Sequence, residues 1–155
     1  MRSIAFFLLA PILFSLILLG QTGFQTSGSF IIVSAMSRKM LRVDKVDHRG
    51  VIQSSSRALW TIEHAGPDRY FIRAEDGRAL DASPGNGDRV ECARFNGGIY
   101  QRWSIVPSSD EFTIIAHDGR ALEMPGALDG ARLHLANRSA DNDQRFLLRR
   151  TELAP

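Results

Sequence analysis

Two carboxylates in this chain, Asp81 and Glu123, hold the same place in two copies of one short pattern, each directly after a leucine. A carboxylate brings a charge and two acceptor oxygens, so the chemistry within reach is hydrogen-bond acceptance, metal ligation or acid/base work. The neighbouring residues favour the first. The chain has no His-Glu-x-x-His, no Gly-x-Ser-x-Gly and no phosphate loop, and its histidines and cysteine never group at metal-ligand spacing. Asp81 and Glu91 can face each other across neighbouring strands, but two like charges on an open surface make a poor acid/base pair. His117 stands where Glu75 stands in the other copy, beside an Asp-Gly, and reads as a turn residue. His134 reads as an exposed strand residue. These residue types predict a binding surface, with no catalytic residue, no metal and no cofactor.

The elements that position these residues come from an internal repeat. Phe71 to Asp81 is echoed by Thr113 to Glu123 at an offset of 42, and Gln101-Arg102-Trp103 is echoed by Gln144-Arg145-Phe146. Ala58-Leu59-Trp60 is a fainter third copy, so the aromatics Trp60, Trp103 and Phe146 are spaced by 43 and 43. Equal spacing of three large apolar residues predicts three equivalent slots in one core. In the middle copy, Tyr70 to Glu75 alternates, Asp76-Gly77 supplies a hairpin turn, and Arg78 to Ala82 returns. Val90 to Phe95 and Gln101 to Val106 follow, separated by Gly- and Asn-rich turns. No stretch after residue 28 keeps a helical period. The expected class is all-β, with twelve short strands.

Period-two alternation predicts the inward residues. In the middle copy they are Tyr70, Ile72, Ala74, Leu80, Ala82, Val90, Cys92, Trp103 and Ile105. The third copy supplies Phe112, Ile114, Ala116, Leu122, Met124, Leu133, Leu135, Phe146 and Leu148. The first is expected to supply Ile31, Val33, Ala35, Leu41, Val43, Ile52, Trp60 and Ile62. Cys92, the one cysteine, shares the register of Leu135 and reads as a small core hydrophobe.

Bulk properties narrow the partners. The chain has 155 residues, 19 Lys and Arg against 17 Asp and Glu, and a net charge of +2. That balance lacks the concentrated basic field of a phosphate-backbone binder, so nucleic acid is not an expected partner. Residues 1–28 differ from the rest: Arg2 precedes the apolar run Ile4 to Leu19, 16 residues interrupted by Pro11. This is the layout of a signal peptide, with an uncleaved membrane anchor as the alternative. Either places the remainder, a domain over 29–150 and a tail over 151–155, outside the cytoplasm as a secreted or extracytoplasmic protein. Contact with a membrane is expected only through that segment, if it is retained.

The hairpin Asp-Gly, the Leu followed by an acidic residue, the Gly-containing turn and the closing Gln-x-aromatic resemble the QxW repeat of ricin B-type lectins. The resemblance covers residues 29–150; it is strong in the second and third copies and weak in the first, where Ala58 replaces the glutamine. It implies a β-trefoil of three pseudo-repeats, each able to carry one shallow sugar site. In that family the acidic residue after the Leu holds two adjacent sugar hydroxyls, which implies this role for Asp81 and Glu123; Arg42 in the first copy removes the acceptor. The orienting neighbour on the next strand corresponds to Glu91 and His134. The stacking position corresponds to Ala93 and Ala136, neither aromatic, with Phe95 and Tyr100 as substitutes if their loop folds over the site. The family's asparagine before the glutamine corresponds to Tyr100 and Asp143. Gln101 and Gln144 themselves read as structural, tying the hairpin to the core. The resemblance therefore implies glycans as partners of a non-catalytic module. A trefoil with degenerate sugar sites that binds a protein, as an inhibitor for example, is the alternative. Asn137-Arg138-Ser139 is a glycosylation sequon in a eukaryotic secretory route.

Overall fold

The computed structural model describes Phe24 and residues 27–151. The expected signal or anchor lies outside the described residues, apart from Phe24, Ser27 and Gly28. Among the described residues there are twelve strands, four to a repeat. The first repeat holds β1 (Gly28–Ser34), β2 (Met40–Val43), β3 (Val51–Ser54) and β4 (Trp60–Gly66). The second holds β5 (Arg69–Ala74), β6 (Ala79–Asp81), β7 (Glu91–Ala93) and β8 (Ser104–Ser108). The third holds β9 (Glu111–Ile115), β10 (Ala121–Glu123), β11 (His134–Ala136) and β12 (Phe146–Arg150). No helix among the described residues is long and apolar enough to cross a membrane.

The outer strands of the three repeats close a barrel. β1 pairs with β4 and β12, β4 with β5, and β9 with β8 and β12. Between β5 and β8 the ring is completed by Tyr70 and Trp103, which exchange backbone hydrogen bonds of 2.8 and 2.9 Å. The inner strands form the hairpins β2–β3, β6–β7 and β10–β11. These meet one another through the bridges Gly50–Glu91, Arg89–His134 and Ile52–Arg132. The architecture is a β-trefoil.

Local chemistry explains the tight hairpins. Gly77 and Gly119 sit at φ 82° and 88°, where an L side chain is strained. The preceding aspartates accept from the backbone two residues on, Asp76 from Arg78 and Asp118 from Arg120, both at 3.0 Å. The three aromatics fill equivalent slots as expected: Trp60 is 1% exposed, Trp103 and Phe146 0%. Each indole also donates to the carbonyl of the leucine beneath it, Trp60 to Leu41 at 2.8 Å and Trp103 to Leu80 at 3.0 Å. Phe24 adds its ring to this core, 5.2 to 5.6 Å from the rings of Phe30, Tyr70 and Phe112, and its carbonyl accepts from the Tyr70 hydroxyl.

The inward residues of the second and third copies follow the sequence expectation, with Phe112 and Leu148 only partly buried. The first copy follows it at Leu41, Trp60 and Ile62, with Val43 partly buried, but departs from it at Ile31, Val33, Ala35 and Ile52. Its core residues on β1 are Phe30 and Ile32, while Ile31 is half-buried and Val33 and Ala35, though buried, lie outside the core cluster. The reason is one extra residue in the first hairpin: Ser34 N–H bonds the carbonyl of Lys39, whereas Ala74 and Ala116 bond Arg78 and Arg120. Ser34, not Ala35, is thus the equivalent of Ala74, and a one-residue slip moves every side chain to the other face. On β3 the core residue is Val51, with Ile52 half-buried, because ten residues separate Val51 from Leu41 as ten separate Val90 from Leu80. The third copy has eleven there, between Leu122 and Leu133. Gln101, expected to open a strand, ends a 3-10 turn over Ile99–Gln101 instead.

Cys92 is 1% exposed, and burial pushes its thiol up to about 12. Thiolate is the reactive form. We therefore expect the folded protein to resist a thiol-specific reagent at pH 8 and to react stoichiometrically only in denaturant; rapid labelling of the native protein would contradict this placement.

Candidate functional site

The third repeat holds the more complete polar slot. Glu123 ends β10, directly opposite His134 on β11, because the two are register partners. Its Oε1 meets His134 Nε2 at 2.9 Å, and its Oε2 accepts from Gln144 Nε2 at 2.8 Å. Gln144, 1% exposed, also donates to the Asn137 carbonyl and accepts from Ser139 N–H, both at 2.8 Å, and so locks the loop beneath the slot. Beside it, Asp143 keeps one oxygen, Oδ1, buried with no hydrogen-bond partner. Burial raises the Asp143 carboxyl above the usual carboxylate range, and the charges of Glu123 and Asp141 add to the effect. The side chains of Glu123 and His134 are half-buried, 20% and 30% exposed, and each carboxylate oxygen of Glu123 has a second lone pair. The slot can accept hydrogen bonds from a polyhydroxylated ligand.

In the second repeat the same plan is more closed. Asp81 is 6% exposed. Its Oδ1 accepts from Ser83 N–H at 2.8 Å and its Oδ2 from Gln101 Nε2 at 3.0 Å. Glu91 is the register partner of Asp81, yet its carboxylate pairs with Arg49 of the first repeat at 2.7 Å. Phe95 packs edge-on against Phe71, 4.9 Å between centroids, with the Arg73 guanidinium 4.3 Å above its ring. Tyr100 stands edge-on to His117 of the next repeat at 4.8 Å, and its carbonyl accepts from Ala82 N–H just as the Asp143 carbonyl accepts from Met124 N–H, both at 2.9 Å. Both aromatics are thus held against neighbouring side chains.

Gln101 and Gln144 are structural, as their residue type and place predicted: Gln101 is 0% exposed and makes four hydrogen bonds. Two features of the surface were not read from the sequence. One is the ion pairing where the three hairpins meet, where Arg132 reaches Asp44 at 3.0 Å and Asp47 at 2.5 Å across Gly50. Asp47 is held down at about 2 by the Arg49 N–H, the Arg132 guanidinium and the Gly50 N–H. The other is a cavity of about 380 Å³ in the first repeat, walled by Arg42 and Arg57. Its signal was present in the spacing, since Arg57 precedes Trp60 by three residues, as Tyr100 precedes Trp103 and Asp143 precedes Phe146. Among the described residues no cluster of His, Cys, Asp and Glu is arranged to hold a metal ion.

Fold and slots together define a class: a three-repeat β-trefoil whose hairpins present polar surface pockets. No family model matches the chain, and no curated protein matches it by sequence. Solved structures do. A designed 3-fold symmetric protein, ThreeFoil, is 27% identical at TM-score 0.74, over 80% of this chain and 99% of that one. The Polyporus squamosus lectin, solved with a human-type influenza-binding epitope, is 26% identical at TM-score 0.70, over 81% of this chain and 49% of its own. The ricin B-like lectin of Macrolepiota procera, solved with lactose, shares the fold at 17% identity and TM-score 0.67, over 83% of this chain and 100% of that one. The neighbours of this chain are β-trefoil proteins that include ricin B-like lectins. The fold also forms about a third of the chain of solved glycosidases.

Proposed function

We propose that this protein is a non-catalytic glycan-binding module with one or two weak sites, acting outside the cytoplasm. The observation that carries the reading is the third-repeat slot, in which Glu123 is oriented by His134 and Gln144 beside the unpartnered oxygen of Asp143. Such preset acceptors suit the hydroxyls of a neutral sugar. The ricin B-like neighbours support the ligand class. The second-repeat slot is the weaker of the two because Asp81 has both oxygens engaged and little exposure. Without an aromatic platform, each site lacks the roughly 0.5–1.5 kcal/mol of stacking, a loss of about two- to tenfold in affinity that makes the sites weak. Export rests on Arg2 and the apolar run after it, and the membrane is reached only through that segment if it stays attached.

A glycan array probed with the full chain, followed by titration of the best neutral glycan, tests this. Glu123→Gln should weaken binding about tenfold, by loss of a charged acceptor worth roughly 1.5 kcal/mol, and Asp81→Ala by less. Absence of binding to any glycan at millimolar concentration would sink the reading.

One observation favours a second reading, a protein-interaction or inhibitor module. Phe95, Ile99 and Tyr100 leave 36%, 57% and 37% of their surfaces exposed within one loop of the second repeat. Capture of a protein partner that is lost on Ile99→Asp, without glycan binding, would favour it.

A further inference from the structure

The first repeat keeps the geometry of the slot and inverts its charge. Arg42 follows Leu41 on β2 as Asp81 follows Leu80 and Glu123 follows Leu122, and it pairs across the hairpin with Ile52 as those residues pair with Glu91 and His134. Arg57 takes the place of Tyr100 and Asp143, and Ala58 that of the two glutamines. In the second and third repeats the glutamine fills the space between hairpin and loop. The methyl group of Ala58 leaves that space open, and the result is the cavity of about 380 Å³ between Arg42, Val43 and Lys45, residues 56–60, and the Glu75-Asp76 turn of the next repeat. That volume lies in the range of small-ligand sites, about 300–1,000 Å³.

Its electrostatics are one-sided. The hydrogen bond described for the half-buried Arg42 side chain is a long one of 3.4 Å to the Val43 carbonyl. Among the described residues Arg42, Lys45 and Arg57 have no carboxylate partner, which leaves their charge available to a ligand in the cavity they line. Of the two carboxylates in the wall, Asp76 is taken by Arg78 at 2.8 Å, so Glu75 alone opposes three cations. A guanidinium presents a planar fork of donors that matches the oxygens of a carboxylate or sulfate ester. Val43, Ala58 and Leu59 supply apolar wall for the C–H face of a ring.

We propose that the first-repeat cavity binds an acidic saccharide, a sugar carrying a uronate or sulfate group, with Arg42 and Arg57 on the anionic group. This goes beyond the neutral-sugar reading of the other two slots and borrows from it only the shared hairpin geometry.

The test titrates the full chain with D-glucuronic acid, D-glucose and inorganic sulfate, followed by backbone amide NMR. Glucuronate should shift residues 42–45 and 56–59, glucose at equal concentration should not, and added salt should weaken the response. The double variant Arg42→Ala, Arg57→Ala should lose at least tenfold in affinity. Ala58→Gln, which refills the cavity with both arginines in place, should lose as much, while Glu123→Gln should leave glucuronate binding unchanged. Equal shifts with glucose, shifts as large with inorganic sulfate as with glucuronate, or undiminished binding by both variants would overturn the proposal. Neutral-glycan binding measured on the same samples separates the two readings: its persistence with no glucuronate response removes this proposal alone, and its loss with a glucuronate response intact removes only the neutral-site reading.

Discussion

Trp103→Ala is expected to lower the unfolding free energy by about 3–5 kcal/mol, the usual cost of deleting a large buried aromatic. The side chain is 0% exposed, and its backbone closes the barrel against Tyr70. Against a total stability of about 5–15 kcal/mol, this variant sits at the edge of folding. Trp103→Phe is the informative control. Phe146 fills the equivalent slot in the third repeat, so a phenyl ring fits the space, and what is lost is chiefly the indole donor to the Leu80 carbonyl at 3.0 Å. Leaving that buried carbonyl unpaired costs about 1–3 kcal/mol. Urea denaturation of the two variants checks the ordering. Equal losses for Ala and Phe would show that the missing indole hydrogen bond, and not the cavity left by alanine, causes most of the destabilisation.

Gln101→Ala should be nearly as damaging, although glutamine is not a core residue by type. Its amide accepts from Asn96 N–H at 2.9 Å and Gly97 N–H at 3.3 Å, and donates to the Arg94 carbonyl at 2.9 Å and Asp81 Oδ2 at 3.0 Å. At roughly 0.5–1.5 kcal/mol net for each of the four bonds, the expected loss is about 2–6 kcal/mol. Water entering the vacated space can recover part of it by bonding the freed polar groups. Amide hydrogen exchange at Asn96 and Gly97 should quicken well beyond the global change, since both lose their acceptor. Protection that falls uniformly across the domain would instead place the role of Gln101 in general packing. Gln144→Ala should loosen Ser139 in the same way and free Glu123 from one of its two orienting contacts.

These two residues mark what was legible in the chain. Trp103 could be assigned to the core from spacing alone, and Gln101 to a structural role from its type and its recurrence before an aromatic. Asp-Gly turns placed the hairpins, and the alternation through Tyr70, Ile72 and Ala74 placed the barrel face. The first repeat resisted because Phe30, Ile31, Ile32 and Val33 are all apolar, so alternation carries no phase information there. A one-residue insertion in the following turn then moved the register.

The candidate sites were legible as positions but not as environments. Asp81 and Glu123 occupy equivalent places, yet Asp81 is engaged at both oxygens and nearly sealed, while Glu123 stays partly open beside Asp143. Sequence alone determined the repeat, the all-β class and the equivalent slots, because strand period, turn chemistry and the spacing of three aromatics are local properties that survive in one dimension. Only the tertiary structure decided the register of the first repeat, the burial of Phe24, the pairing of Glu91 with Arg49, and the cavity that Ala58 leaves between Arg42 and Arg57. Each of those depends on which distant segment lies opposite, and neighbours brought together by folding set solvent access, charge pairing and free volume.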